Sequence, residues 1–182
     1  MGRRRVRKAC RSMAEERMII RKAIRGEESV CYGFIEEARA YHKAAGFEQW
    51  HPSYPTLQTI EEDVRKGIGF VFAEGDALLG YGCIVIGDEP VYRRIEGAWK
   101  TERPYAVVHR MAFGNGSRGK GLAHQAVSLI KEYCRENGTD AIRVDTQGEN
   151  KVMQHVLEKE GFLFCGHVIF DGGPKLAYEW DR

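Results

Sequence analysis

The chain has no CxxC pair, no apolar run approaching the ~18 residues a membrane-crossing helix needs, no internal repeat, and no acid in its first twelve positions. Each absence narrows the field. The five cysteines (Cys10, Cys31, Cys83, Cys134 and Cys165) are odd in number and far apart, so neither a zinc site nor a disulfide framework is signalled. They read as small core residues in a reducing cytosol, and a cytoplasmic location is expected. His42, His124 and His155 show no metal-ligand spacing, and no metal is expected. Without a long apolar run no membrane span is expected. Without an apolar stretch after the arginines there is no secretory signal, and Val6 breaks the myristoylation pattern that would begin at Gly2.

The acid-free start is strongly basic. Arg3, Arg4, Arg5, Arg7, Lys8 and Arg11 turn a net charge of +2 into −4 for the remainder. Residues 1–14 read as a basic leader expected to be disordered. An arm that binds nucleic acid or anionic lipid is the other reading. Met13, followed by Ala-Glu-Glu-Arg-Met, offers a natural start. At 43% hydrophobic and 30% charged residues, 15–182 reads as one globular domain able to bury a full core.

Periodicity and turn residues give the order of elements. Strands are expected at 17–24, 68–74, 77–87, 105–113, 141–146, 162–170 and 175–180. Helices are expected from Ser29 to Ala45, from a capping box at Thr59-Ile-Glu-Glu62 to Gly67, from Leu122 to Cys134, and from Asn150 to Gly161. Phe47 to Pro55 and Asp88 to Pro104 read as loops. The order β-α-α-β-β-β-α-β-α-β-β describes an α/β (α+β) layered domain with a mixed sheet.

One stretch organises the rest. The strand ending at Phe113 runs into Gly-Asn-Gly-Ser-Arg-Gly-Lys-Gly and then into an amphipathic helix. Four glycines in eight residues let the backbone approach a ligand closely. A helix start presents unpaired N–H groups and partial positive charge, which suits phosphate. A dinucleotide fold fits poorly, because the glycines do not open a leading βαβ unit.

That order, with Arg118-Gly-Lys-Gly-Leu-Ala123 at its centre, resembles the GNAT superfamily of acetyl-CoA-dependent N-acetyltransferases. Arg118, Gly121 and Ala123 meet its Gln/Arg-x-x-Gly-x-Gly/Ala signature, and Asn150 with Glu160-Gly-Phe162 matches a second family segment. The likeness spans residues 17–180. Trp50 to Pro55, His109-Arg110 and Leu176-Ala-Tyr-Glu179 are similar to a bacterial subgroup.

The resemblance implies a GNAT-like acyl-CoA N-acyltransferase fold, with a mixed, mostly antiparallel sheet flanked by helices, and acetyl-CoA as cofactor. It implies that the main chain of Met111, Ala112 and Phe113 holds the pantetheine arm beside a splayed strand. The pyrophosphate would lie on Arg118, Gly119, Lys120, Gly121, Leu122 and Ala123. Asn150 would bond the cofactor, cap its helix, or both. His109 is the candidate catalytic base. Simple alternation puts it with Val107, Met111 and Phe113, and puts Arg110 on the other face. The tyrosine that serves as acid in many members is Leu157 here. Tyr133, Tyr178 and Cys165 are left as candidate donors. Trp50, His51, Tyr54, Tyr92, Glu96 and Trp99 lie on loops that wall the acceptor in this family, with Trp50, Tyr54, Glu96 and Trp99 as the candidate substrate contacts. The expected acceptor is a small-molecule or amino-acid-like amine, and the expected state is a monomer or homodimer without nucleic acid. A protein N-terminal or lysine acetyltransferase is a second reading. A non-catalytic acyl-CoA-binding module with a nucleic-acid-binding arm is a third.

Overall fold

The computed structural model describes residues 17–170 and 172–182, so the basic leader, Cys10 and Asp171 lie outside the described residues. Eight strands form one sheet in the order β1-β2-β3-β5-β6-β8-β7-β4. They are β1 (Ile19–Lys22), β2 (Gly69–Glu74), β3 (Ala77–Ile86), β4 (Ile95–Gly97), β5 (Ala106–Phe113), β6 (Ala141–Thr146), β7 (Leu163–Phe170) and β8 (Gly173–Asp181). Every pairing is antiparallel except β5 with β6, because the helix between them carries the chain back to the same end.

Helices α1 (Glu28–Ala44) and α2 (Leu57–Lys66) cover one face. Helices α3 (Leu122–Glu136) and α4 (Lys151–Lys159) cover the other. Ile35, Ile60, Val71 and Tyr81 form the core under α1 and α2. Phe72, Val108, Ile130, Ile142 and Leu157 form the core under α3 and α4. Each such side chain contributes about 1.5–3 kcal/mol when fully buried. The four cysteines among the described residues are free and buried, and burial pushes the Cys31, Cys83 and Cys134 thiols up to about 12.

Three local expectations are corrected. The cap of α2 is Thr56 rather than Thr59. Thr59 occupies the third helical position, where its hydroxyl accepts from Thr56 N–H (3.1 Å) while its own N–H donates to Thr56 Oγ1 (3.3 Å). The polar connection after β3 is not all loop. It holds a 3₁₀ turn (Pro90–Arg93) and then β4, which pairs with β7. That pairing brings Gly97 so close to Gly166 that a Cβ on either would collide with the opposite main chain.

The third correction is in β5. Tyr81 pairs with Ala112 but Cys83 pairs with His109, so β5 carries one extra residue opposite Gly82. Arg110 absorbs it at φ 56° in the left-handed region. The bulge breaks the alternation. His109 and Arg110 both face the α1–α2 side, while Met111 and Phe113 pack against the core under α3.

Candidate active site

The bulge coincides with the end of sheet pairing. β5 and β6 pair only at Ala106↔Ile142, Val107↔Arg143 and Val108↔Val144. From His109 onward the β6-facing edge of β5 has no strand beside it, and the two strands part around a cavity of about 1610 Å³. Met111, Ala112 and Phe113 line this opening, as do Arg118, Gly119, Gly121, Leu122 and Ala123 at its far end. Trp50, Tyr54, Glu89, His109, Asp145, Asn150 and Leu157 line it too.

The far end suits an anion. No side chain caps α3, and its first turn holds no acid. Gly121 sits at the cap with φ 70°, and Gly119 has φ 73°, conformations that L side chains adopt at a cost. A Cβ at either would meet no protein atom, so the space outside is open to a ligand. The Arg118 guanidinium stands over the Tyr41 ring at 3.8 Å. Uncapped N–H groups, open glycines and a nearby guanidinium fit a pyrophosphate, and the unpaired edge of β5 fits an extended amide arm. Lys120 is turned away, into a small hollow with Glu37 and Glu74.

A strap closes one wall. Gln49, on the α1–α2 connection, accepts at Oε1 from Thr146 Oγ1 (3.3 Å), Gln147 N–H (3.3 Å) and Asn150 Nδ2 (3.2 Å). Asn150 Oδ1 meanwhile caps α4 by accepting from Met153 N–H at 3.1 Å. Both ends of the Asn150 amide are therefore engaged by protein. His42 lies beside this strap, stacked on Phe47 at 4.8 Å with its Nδ1 buried and unpartnered. Burial, aided by the charge of Arg118, pushes its imidazole down to about 4.

Two polar networks flank the parting strands. In the first, Asp63 accepts from Arg110 Nε and Nη2 (both 2.9 Å) and from the Tyr81 hydroxyl (2.7 Å), while Arg110 Nη1 donates to the Tyr54 hydroxyl (2.5 Å). This holds the bulge against α2. In the second, His109 Nε2 lies 3.1 Å from Glu89 Oε2, and the Tyr92 hydroxyl donates to Asp145 at 2.7 Å. The hydrogen bond from His109 is the main cause that holds the Glu89 carboxyl below the usual range. Lys175 completes the set, 3.4 Å from Asp145.

A family model described as Acetyltransferase (GNAT) family matches residues 28–162. The chain belongs to the GNAT acetyltransferase family. No curated protein matches it in sequence. A GNAT acetyltransferase from Streptococcus agalactiae is 36% identical, with 91% of this chain and 95% of that one covered and a TM-score of 0.84. One from Listeria monocytogenes is 19% identical, with 91% and 95% covered and a TM-score of 0.71. The aminoglycoside acetyltransferase AAC(6')-Ib, in complex with coenzyme A, is 18% identical, with 91% and 95% covered and a TM-score of 0.67. The last two likenesses concern the fold. By that family membership, this GNAT chain is an acetyl-CoA-dependent N-acetyltransferase, and acetyl-CoA is its acyl donor. Among the described residues, no helix is long and apolar enough to cross a membrane.

Other residues singled out in this GNAT sequence fall elsewhere. Glu96 lies on β4 opposite His167, and Trp99 packs on Tyr92 and on the Arg143 guanidinium, so neither lines the cavity. Trp99 is a pin: its indole N–H donates to the Tyr92 carbonyl at 2.9 Å. Tyr133 packs on Phe70, Tyr178 sits in the core, and Cys165 donates to the Leu163 carbonyl, all away from the cavity. Glu89, Asp63, Asp145 and Gln49 were missed by sequence reasoning. Glu89 and Gln49 sit in connections, Asp63 on α2 and Asp145 near the end of β6, and each gains its role from a partner 20 to 101 positions away in the chain.

Proposed function

We propose that the chain acetylates the primary amine of a small or amino-acid-like molecule by direct attack on acetyl-CoA, with His109 as the base. One observation carries this reading. His109 is the first residue of β5 beyond its last pair with β6, inside the same cavity as the uncapped start of α3. An arm laid along Phe113 to Met111 from a pyrophosphate at Arg118 to Ala123 ends beside that imidazole. The Asn150 side chain reaches the cofactor once Gln49 gives way. Trp50 and Tyr54 wall the acceptor, and Glu48, Glu62 and Glu89 line the same cavity, which suits a cationic amine. The four buried thiols fit a reducing compartment such as the cytoplasm.

The test is thiol release from acetyl-CoA with a panel of acceptors: tyramine, spermidine, glycine, kanamycin and a lysine-containing peptide. Amine-dependent release with a small acceptor supports the reading, and release with the peptide alone moves the acceptor to protein.

A further inference from the structure

Glu89 stands where the β3–β5 connection enters its 3₁₀ turn, and it is held on several sides. Its main-chain N–H donates to the Tyr105 hydroxyl at 3.1 Å, and its Oε1 accepts from Val91 N–H at 3.5 Å. The other carboxylate oxygen is left for His109 Nε2 at 3.1 Å. Both side chains are mostly buried, and both line the cavity. An ionised carboxylate only accepts hydrogen bonds, so Nε2 must donate. A neutral imidazole holding its proton on Nε2 has its lone pair on Nδ1. Among the described residues no group bonds Nδ1, and Nδ1 is not among the atoms sealed from solvent. The remaining neighbours are occupied. The Tyr92 ring lies 6.3 Å from the imidazole with its hydroxyl bound to Asp145, and Arg110 is turned onto Asp63.

We infer that Glu89 is a positioning residue. It fixes His109 as the Nε2–H tautomer and stabilises the imidazolium formed when Nδ1 takes a proton from the acceptor nitrogen. This rests on the reading of His109 as the base. The proton count closes with one imidazole. An acceptor that arrives as an ammonium first releases one proton to solvent; the neutral nitrogen then forms one N–C bond and loses one further proton, which Nδ1 takes. The C–S bond breaks with its electron pair on sulfur, and the proton on Nδ1 passes to that sulfur, giving a thiol and the neutral ring. The tyrosine replaced by Leu157 then has no task left to fill. A carboxylate behind the imidazole favours the first transfer because charge develops on the ring as the N–C bond forms.

The experiment has a spectroscopic arm and a kinetic arm. In proton–nitrogen correlation spectra of isotope-labelled, ligand-free protein, taken across a pH series, the neutral form of the His109 ring is expected to carry its proton on Nε2. That proton should exchange slowly, and Glu89→Ala should make it exchange fast. A neutral ring that carries its proton on Nδ1 overturns the inference. In the kinetic arm, run with the best of tyramine, spermidine, glycine and kanamycin, Glu89→Gln keeps an acceptor for Nε2–H but removes the charge. Its kcat should fall roughly 10–100-fold, with KM for acetyl-CoA within about twofold of the parent. Combining it with His109→Ala should cost no more than His109→Ala alone. If His109→Ala is impaired while Glu89→Gln matches the parent, the role of Glu89 is overturned and the base survives. If His109→Ala matches the parent, the base itself is wrong. If no acceptor turns over, the small-amine reading fails, and the spectra alone still decide whether Glu89 holds the ring.

Discussion

At the scale of single residues, the site depends on groups whose ionisation the fold has shifted. His42 is one. Its imidazole is pushed down to about 4 by burial, whereas in an unfolded chain it titrates near its ordinary 6.5. Between those values the unfolded state binds a proton that the folded state refuses, so acidification favours unfolding. Stability should therefore fall as pH drops from about 6.5 to about 4, by at most about 1.4 kcal/mol per pH unit from this group. Urea midpoints measured across that window should show the slope, and His42→Asn should flatten it. Glu27, Glu89 and Glu160 are held low by cationic or imidazole partners, and they act in a separate, lower window. Their contribution is present above the ordinary carboxylate range and is lost only as pH falls through their depressed values. The two windows can thus be told apart by the histidine variant.

At the scale of elements, three backbone features shape the cavity and its surroundings. The first is the turn into α3. Gly121 sits at φ 70°, and the space outside it is open. Gly121→Glu should cost about 1–2 kcal/mol of backbone strain and leave a folded protein. It should also place a carboxylate where the cofactor phosphates are expected, so acetyl-CoA should no longer raise the melting temperature of the variant. The second is the β4–β7 pair. Gly97 carries φ 142°, and a Cβ there would collide with the Cys165 carbonyl. Gly97→Ala should part this pair and lower stability by about 1–3 kcal/mol, read as a shift in urea midpoint. Because β4 follows the turn bearing Tyr92 and Glu89, the variant should also loosen the support of His109. The bulge at Arg110 is a third such feature. Asp63 secures it from α2, so a helix on one face fixes where β5 leaves β6.

At the scale of the whole molecule, a ligand that binds only the folded state adds RT ln(1 + [L]/Kd), about 2.7 kcal/mol at a hundredfold excess over Kd. Acetyl-CoA should therefore raise the melting temperature by several degrees, and an unchanged transition at millimolar concentration would contradict the cofactor site. Much of this architecture was legible in the chain. The strand, glycine turn and helix at 105–134 were readable because turn chemistry and hydrophobic periodicity are local. Local pattern could not reveal β4, whose three residues become a strand only because β7 lies beside them. It could not reveal the bulge, because an extra residue is defined only against its partner strand, and one such residue turned His109 away from Met111 and Phe113. The pairing of Glu89 with His109 was equally hidden, since two residues 20 apart in sequence met only once the β3–β5 connection had folded back onto β5. Sequence alone determined the family, the acyl donor and the glycine turn into α3, all carried by contiguous residues. The tertiary structure alone decided which loop residues reach the cavity, which face carries the imidazole and what holds it, because those depend on contacts between segments distant in the chain.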